Sequence, residues 1–301
     1  AEASQRTPPV TINIDHLRSW VGQEQHANEL LSPALVRQFN ATFDRVSGSE
    51  MGDVAPLLIH FCLTQPISPG SELGPDGHPA RGGFLPPVPL PRRMWAGGGI
   101  EFHADIRIGE TVSRHSTITD VALKQGHSGP LCFVTVEHKI ESGGRRALTE
   151  RQDIVYRDMV ASHPAPQSAA PKPAQTSAPK GGSRHQITPT APLLFRYSAM
   201  TFNGHRIHYD KPYATEVEGY PGLVVHGPMQ ATLLCQMAAD LHGAAPKSFG
   251  FRSLSPLFDD CDFTLNAGLV GAAQDGSQGL DMTLWTARQG GPIAMQAQAQ
   301  W

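Results

Sequence analysis

Side chains that could transfer protons crowd into one short stretch of this chain. Asn203, His205, His208 and Asp210 lie within eight residues of one another. A histidine with its ordinary pKa of about 6.5 can accept or release a proton near neutral pH, so His208 is a candidate general base or acid. An asparagine amide can hold and orient a water molecule, but it does not titrate, so Asn203 cannot serve as the base. The stretch predicts an acid–base site in which His208 carries the proton transfers.

A helix start lies close behind this stretch, in the sequence His226-Gly227-Pro228. We place Gly227 at the N-cap and Pro228 at the first helical position, where proline is common. The free N–H groups and the dipole at such an end stabilise an anionic oxygen, and a glycine lets a ligand approach the backbone. The Gly227 N–H is therefore a candidate donor to an oxyanion. The plainer alternative is that the Gly-Pro pair only starts the helix.

Metal and nucleotide chemistry find weaker support. His205, His208 and Asp210 resemble a ligand cluster, but HxxHxD lacks the helical i, i+4 histidine pair of common zinc enzymes, so we expect no metal. No GxxxxGK occurs, and residues 97–99, three glycines, lead into a strand without the GxGxxG helix start. We interpret these glycines as a turn and expect no nucleotide cofactor.

Composition limits the class of protein. The chain has 301 residues, enough for two domains, and a net charge of only −3, which argues against nucleic acid as a partner. Its 4 cysteines lie far apart with no CxxC pair, so we interpret them as reduced thiols in the core. The first residues contain no apolar segment, and no run of about eighteen apolar residues occurs. We expect a cytoplasmic protein that does not enter a membrane.

A break in composition divides the chain near its middle. Residues 161–185 are rich in Ala, Pro and Ser, as in an extended linker, and separate a unit at 8–160 from a unit at 186–301. In the first unit, apolar spacing predicts helices from Pro33 (PALVRQFNATFD) and from Asp53 (DVAPLLIHFCL). Strands are predicted at 100–108, 111–120, 131–140 and 148–157, and in the second unit at 248–258, 261–269, 280–288 and 292–301.

The same order of elements recurs in both units, which we interpret as degenerate copies. In the second unit the helix after His226 has one apolar face, made of Leu233, Leu234, Met237, Ala238 and Leu241. A helix backed by an antiparallel sheet is a two-layer α+β arrangement, and two such units can join edge to edge into one long sheet. The predicted fold is therefore a tandem, or double, hot-dog in which each sheet wraps a central helix.

Two strings around the candidate site are similar to a known family. FNGHRIHYD at 202–210 resembles the hydratase motif of MaoC-like hydratases and dehydratases, written YxxxSGDxNPxHxD, and a His-Gly pair follows at the helix. Together with YATEVEGYPGLVVHGP at 213–228, it most resembles the subgroup of mesaconyl-CoA and itaconyl-CoA hydratases and type-two hydroxyacyl-thioester dehydratases. Residues 73–110 and 128–140 are similar to the N-terminal unit of that subgroup, so the resemblance spans both halves.

The resemblance implies a site and a reaction. The family's catalytic His falls on His208, the following Asp on Asp210 and the oxyanion glycine on Gly227, whereas its catalytic Asp falls on Asn203. It implies reversible syn hydration of a 2-enoyl thioester: His208 takes a proton from water, hydroxyl adds at C3, and the Gly227 N–H stabilises the enolate. No cofactor is implied beyond the coenzyme A of the substrate. The first half lacks these residues, so we expect one catalytic centre per chain, walls supplied by the first unit, and a homodimer.

A dicarboxylic acyl-CoA substrate would need a cation for its free carboxylate, and arginine matches a carboxylate through paired N–H donors. The candidates are Arg92, Arg93, Arg206 and Arg252. For each, the plainer alternative is a solvated charge or a structural ion pair. His226 flanks the site and is assigned to substrate binding, while His205 stands at the place of an Asn in the motif and is expected to hold the loop.

Three functions follow as hypotheses. The leading one is an acyl-CoA hydratase, a lyase, that interconverts itaconyl-CoA or mesaconyl-CoA with citramalyl-CoA or methylmalyl-CoA. The second is dehydration of 3-hydroxyacyl chains on CoA or acyl carrier protein, which would use the same centre with a longer apolar tunnel. The third is a non-catalytic thioester-binding protein, motivated by Asn203 at the place of an acid.

Overall fold

The computed structural model describes residues 11–126, 129–158, 176–269 and 281–301. The helices in these ranges are α1 (Ile14–Arg18), α2 (Pro33–Thr42), α3 (Ala191–Met200) and α4 (Gly227–His242). The strands of the first half are β1 (Glu24–Leu30), β2 (Arg92–Phe102), β3 (Thr111–Gly126), β4 (Gly129–Ser142) and β5 (Arg145–Arg157). Those of the second half are β6 (Ser183–Ile187), β7 (Ser248–Ser253), β8 (Phe263–Leu269), β9 (Met282–Arg288) and β10 (Ile293–Gln300). None of the helices described here is long and apolar enough to cross a membrane.

The described strands form one antiparallel sheet in the order β1-β3-β4-β5-β2-β7-β10-β9-β8-β6. The two halves of the sheet have the same arrangement. Counted from the edges inward, β1, β3, β4, β5 and β2 correspond to β6, β8, β9, β10 and β7. Local signals repeat as well: Ser32 and Thr190 cap α2 and α3 through the same hydrogen bond to the N–H three residues on, with a proline in the first turn. The predicted tandem α+β arrangement is confirmed.

The two halves meet where β2 pairs with β7, from Gly97 opposite Arg252 to Glu101 opposite Ser248. One apolar core runs across this seam, with Ile100 and Phe249 among its fully buried members. The seam therefore joins the halves through both backbone hydrogen bonds and apolar contacts.

Helix α4 lies at the centre of the second half and is buried on nearly all sides. Besides Leu233, Leu234 and Ala238, the polar side chains of Gln230 and Gln236 are buried. Sheet strands β7 to β10 contact the helix, and Gln236 Nε2 donates to Leu57 O of the first half. The helix was predicted to bury one apolar face, but it is buried on more than one, because the first half covers the side away from the sheet. Leu241, placed on that face, is 46% exposed.

The helix predicted from Asp53 in the first half is wrong. Only a short 3-10 turn, Ile59–Cys62, forms there. Pro56 removes a backbone donor, and Leu58 adopts a left-handed conformation with φ 64°, so the α-helical ladder cannot run through this segment. The first half thus lacks a counterpart of the long helix α4 among its described elements.

The predicted linker at 161–185 is too long at its C-terminal end. Residues 159–175 lie outside the described ranges. From Ala178 onward the chain contacts the second half, since Ala178 N donates to Gly291 O and Trp285 Nε1 donates to Pro179 O. Strand β6 begins at Ser183 and pairs with β8, so residues 183–185 belong to the sheet in the second half of the chain.

Residues 97–99 are not a turn but the middle of β2, beside a bulge between Trp95 and Gly97. A Cβ on Gly97 would lie 2.6 Å from Phe251 O, and one on Gly98 only 2.3 Å from Arg151 O. Glycine is required here because the backbones on both sides approach too closely for a side chain.

We expect Gly98→Ala to destabilise the protein, because its Cβ would clash with the Arg151 carbonyl, which cannot move without breaking the sheet. The loss should be about 1 to 3 kcal/mol of unfolding free energy, measured by urea unfolding. Gly99→Ala is the matched control, since nothing lies within 4 Å of its added Cβ. Equal stability of the two variants would contradict the close approach at Gly98.

Candidate active site

The motif residues lie between α3 and α4. Helix α3 ends at Met200, and Phe202 takes a left-handed conformation with φ 47° that turns the chain back. Asn203 N then donates to Ser198 O at 2.8 Å, which holds the turn against the end of the helix. A 3-10 turn at Arg206–His208 follows and presents His208 toward the interior.

The His208 imidazole is held by one backbone carbonyl. Its Nδ1 lies 2.7 Å from Val224 O, so Nδ1 carries the proton and donates, and the lone pair is on Nε2. Burial lowers the pKa of His208 to about 4, although the hydrogen bond to Val224 acts in the opposite direction. His208 is thus a neutral imidazole that can accept a proton at Nε2.

His226 lies directly beneath His208. Their rings stack with centroids 3.7 Å apart and planes 17° from parallel, and His226 Nε2 lies 2.7 Å from the Ser198 hydroxyl. Burial, followed by the neighbouring His208 and His205, holds the pKa of His226 well below its usual range. His226 is completely buried and packs against the His208 ring, so this side chain supports His208, and its assignment to substrate binding stays a prediction.

The structure brings the start of α4 to the same place. The helix begins one residue earlier than predicted, with His226 as the N-cap and Gly227 as the first helical residue. Its N–H belongs to the first turn, where no intrahelical acceptor exists. His208 stacks on the side chain of His226, the residue that precedes Gly227, so its imidazole lies at the end of the helix where this N–H is found. This arrangement can stabilise an oxyanion next to a base.

Trp95 of the first half closes over Gly227. A Cβ added to Gly227 would lie 3.2 Å from the Trp95 ring and 3.8 Å from Ser253 Oγ. A larger residue here would press its side chain against the indole, so glycine suits this position. A residue of the first half thus lies against the start of α4, while the role of that half as a wall of a substrate site stays a prediction.

Asn203 is partly buried, and its side-chain oxygen is already used. Its Oδ1 accepts from His205 N at 3.0 Å. The NH₂ group remains as a donor, so Asn203 can hold a water through the water's oxygen.

A loop of the first half, missed by the sequence analysis, docks onto this motif. Arg206 N donates to Asp76 O at 2.9 Å. Gly77 has φ 86°, and its Cβ would lie only 1.9 Å from Gly204 O, so the two glycines let the backbones touch. The available signal was the short Asp-Gly-His sequence at 76–78, in which an acid and an imidazole flank a flexible residue.

The docked loop carries a carboxylate–imidazole pair. His78 Nδ1 lies 2.9 Å from Asp76 Oδ2, and the His78 ring centroid is 4.1 Å from that of His205. Burial and the positive charge of Arg93 lower the pKa of His78 to about 4. Burial opposes ionisation of Asp76, but its hydrogen bonds with His78 outweigh this and hold its pKa below the usual range. Asp76 is ionised and His78 neutral.

Ligand atoms of Asp76, His78 and His205 lie within 4.8 Å of one another, so these side chains could hold a metal ion. The positive charge of Arg93, which lowers the pKa of both histidines, opposes a cation there. We therefore interpret Asp76, His78 and His205 as hydrogen-bonded side chains rather than as metal ligands.

The other possible ligand cluster, His205, His208 and Asp210, does not form. The Asp210 carboxylate instead accepts from Arg206 Nε and Nη2 at 2.9 and 2.8 Å. Another group of possible ligands, Glu24, His26 and His115, lies on β1 and β3.

The candidate arginines differ in their partners. Arg92 pairs with Glu218 at 3.1 Å and lies over the Tyr220 ring. Arg206 is occupied by Asp210 and by Pro75 O, which does not fit its predicted contact with substrate.

Two candidate arginines remain without a carboxylate partner in the described ranges. Arg252 is exposed on β7. Arg93 lines a small cavity of about 10 Å³, and no ion pair forms at Arg93 within the described part of the chain. The cavity is also lined by Asp76, Arg92, His205, Glu218 and Tyr220.

Comparisons with known proteins agree with this geometry. A sequence profile of the family described as hydroxyacyl-thioester dehydratase type 2 matches residues 58–259. A mesaconyl-C(4)-CoA hydratase of Chloroflexus aurantiacus is 43% identical over 250 residues, which cover 83% of this chain and 88% of that protein. Among solved structures, a MaoC-like dehydratase has a TM-score of 0.67 at 16% identity, over 94% of this chain and 98% of that one. A Mycobacterium tuberculosis protein described as having a double hotdog fold has a TM-score of 0.56 at 14% identity, over 93% and 96%. The double hot-dog fold is confirmed.

We expect His208 to make the stability of the protein depend on pH. The unfolded chain takes up a proton near pH 6.5 and the folded protein only near pH 4, so stability falls as pH falls through this window. The contribution of one such histidine is about 1.4 kcal/mol of unfolding free energy per pH unit. In His208→Gln, urea unfolding between about pH 4.5 and 7 should show a slope reduced by roughly this amount. His103→Gln, at an exposed site, is the control, and an unchanged slope in His208→Gln would contradict the assignment.

Proposed function

Because this chain belongs to the hydroxyacyl-thioester dehydratase type 2 family of MaoC-like hydro-lyases, we propose that it hydrates mesaconyl-CoA or itaconyl-CoA to citramalyl-CoA or methylmalyl-CoA. The chain is an acyl-CoA hydratase, and the non-catalytic alternative loses its support because the relatives are named hydratases and dehydratases. The observation that carries the proposal is the stacking of the His208 imidazole on His226, the N-cap residue directly before Gly227 at the start of α4.

The proposed reaction uses these two groups on a single thioester. His208 Nε2 takes a proton from a water whose oxygen bonds to C3 of the enoyl group. The Gly227 N–H donates to the thioester oxygen as enolate charge develops there. His208 then returns the proton to C2 on the same face, which gives syn addition. Asn203 orients the water by donating from its amide.

A free carboxylate on the acyl group is supported by Arg93. In a mesaconyl-C4 thioester the carboxylate is attached to the carbon that receives the hydroxyl, so its partner must lie near the base. Arg93 lines the cavity beside His205 and is close enough to lower the pKa of His205 and of His78. Unlike Arg92 and Arg206, it has no carboxylate partner among the described residues. We assign the substrate carboxylate to Arg93.

Dehydration of 3-hydroxyacyl chains is the second candidate, favoured by the description of the matching family. That reaction on longer chains would need an apolar tunnel beside the base. The space beside His205 is lined by the charged side chains of Arg92, Arg93 and Glu218, and such a lining favours a polar acyl group over a long apolar chain.

The setting in the cell is proposed on chemical grounds. All four cysteines are free, and burial raises the pKa of Cys62 to about 12, so this thiol stays protonated and unreactive. Free, protonated cysteines are typical of a reducing compartment, so we propose a cytoplasmic enzyme. We propose further that it associates with neither membrane nor nucleic acid and needs no metal or cofactor beyond the CoA of its substrate. We propose that it acts as a homodimer. Light scattering of the purified protein measures the last point.

We expect His208→Ala to abolish most of the hydration activity, because it removes the only base assigned to the reaction. Loss of enoyl-thioester absorbance should be followed with mesaconyl-CoA, itaconyl-CoA and crotonyl-CoA. The kcat should fall roughly 100- to 10,000-fold. His103→Ala, exposed at a strand end, should keep wild-type turnover. Unchanged kcat in His208→Ala would remove His208 from the mechanism, and a wild type inactive on all three thioesters would refute the proposed function.

We expect Arg93→Met to lower kcat/KM for mesaconyl-CoA roughly 10- to 100-fold, the range for a lost charge-assisted hydrogen bond. Crotonyl-CoA has no free carboxylate, so its kcat/KM should change less than about threefold by the same argument. Arg146→Met, exposed in the β4–β5 hairpin, controls for a general change of charge. Equal losses with both substrates would show that Arg93 does not recognise the carboxylate.

A further inference from the structure

The proposed reaction leaves one hydrogen of the attacking water without an acceptor. A water that attacks C3 points its two O–H groups away from the carbon and needs two acceptors to be fixed. His208 Nε2 supplies one. Asn203 stands where the family motif has a carboxylate, but one lone pair of its Oδ1 is already taken by His205 N, and a neutral amide oxygen is a weaker acceptor than a carboxylate. An imidazole nitrogen with a free lone pair would be a better acceptor for the second O–H.

The Asp76-Gly77-His78 loop is built to reach this place. Its backbone is bonded to the motif through Arg206 N and Asp76 O, and the Gly77–Gly204 contact leaves no room for a side chain on either residue. A Cβ on Gly204 would lie 2.7 Å from Gly77 O. Such a close approach of two backbones requires glycine at both positions. The contact fixes His78 against His205, at 4.1 Å between ring centroids.

The hydrogen bonds of the loop determine which nitrogen of His78 is free. Asp76 accepts twice from the same residue, at Oδ1 from His78 N at 3.0 Å and at Oδ2 from His78 Nδ1 at 2.9 Å. Nδ1 therefore carries the proton, and the lone pair is on Nε2, as in His208. The side chains of His78 and Asp76 keep 18% and 21% of their surface exposed, so the pair is not sealed away from the cleft.

His78, His205, His208 and His226 form one row of rings, with successive centroids 4.1, 5.4 and 3.7 Å apart. The row is anchored by Asp76 at one end and by Ser198 at the other. His78 lies near enough to His208 to lower its pKa. His78 and His208, one from each half of the chain, thus lie on either side of His205. Both are neutral imidazoles, and each donates its Nδ1–H to a fixed acceptor.

We propose that the Asp76–His78 pair positions the attacking water: His78 Nε2 accepts a hydrogen bond from one O–H of this water while His208 Nε2 accepts the other. This inference rests on the proposed hydratase function. The pair takes the part of the carboxylate that Asn203 does not provide, and it comes from the opposite half of the chain.

The protons balance with a single water. One O–H bond breaks, its proton moves to His208 Nε2, and the oxygen bonds to C3. The enolate then takes that proton from His208 at C2, so both imidazoles end the cycle neutral. His78 keeps its hydrogen bond to the remaining O–H, which becomes the product hydroxyl, and Asp76 keeps His78 in the tautomer that can accept it.

The test compares His78→Ala, Asp76→Asn and the control His103→Ala with the wild type, on whichever of mesaconyl-CoA, itaconyl-CoA and crotonyl-CoA the wild type hydrates fastest. We expect His78→Ala to lower kcat roughly 100-fold with KM changed less than about threefold. Asp76→Asn keeps the shape but no longer demands the Nδ1–H tautomer, so kcat should fall at least about tenfold. Free imidazole should restore part of the kcat of His78→Ala, which a merely structural role would not allow. Thermal unfolding within a few degrees of wild type establishes that both variants fold.

Several results would overturn the inference while leaving the hydratase function intact. These are a kcat of His78→Ala within about threefold of wild type, a loss confined to KM, or a kcat loss that imidazole does not restore. Activity that disappears on dialysis against EDTA and returns with Zn²⁺ would also overturn it, by making Asp76, His78 and His205 a ligand set. A wild type that hydrates none of the three thioesters would instead refute the proposed function itself.

Discussion

The hydrogen bond between His208 Nδ1 and the carbonyl of Val224 is the contact on which the site depends. It selects the tautomer, aims Nε2 away from the backbone, and ties the motif to the segment that leads into α4. The tie is reciprocal, because Val224 N donates to Ile207 O at 2.9 Å. His208, His226 and Gly227 therefore keep their relative positions through short-range bonds. The stacked imidazoles must remain uncharged for this arrangement to persist, and burial keeps them so.

Duplication has let the two halves take different parts in one site. The second half keeps a long central helix, whose first turn offers its N–H groups to a ligand. The first half has only the Ile59–Cys62 turn where such a helix was expected, and the chain between α2 and β2 instead extends across to the second half. That extension carries Asp76 and His78 to the motif, and β2 brings Trp95 over Gly227. Loss of a helix in one copy thus accompanies the gain of a loop that serves the other.

The sequence predicted the parts of the structure that local patterns determine. Eight of the ten described strands and the helix after His226 overlap segments that residue spacing predicts, whereas β1 and β6 were not predicted. The helix from Asp53 was wrong because Pro56 and the left-handed Leu58 outweigh the apolar spacing. Burial of His226 could not be predicted, since it depends on which side chains tertiary packing brings near. The pairing of Arg206 with Asp210 is instead a local i, i+4 contact, whose spacing the sequence already contains. The docked loop was missed because its partner residues lie about 130 positions away in sequence, and no local pattern reports such a contact.

Because β2 and β7 meet within one polypeptide, the two units of the sheet never have to find each other in solution. A tether between them maintains an effective concentration far above that of free protein in a cell. Catalytic competence should therefore survive dilution, whatever the larger assembly does. The covalent link also removes the demand that both copies stay alike, since a mutation in one unit is not repeated across a symmetry axis. A single chain can in this way evolve an asymmetric cleft that two identical subunits could not form.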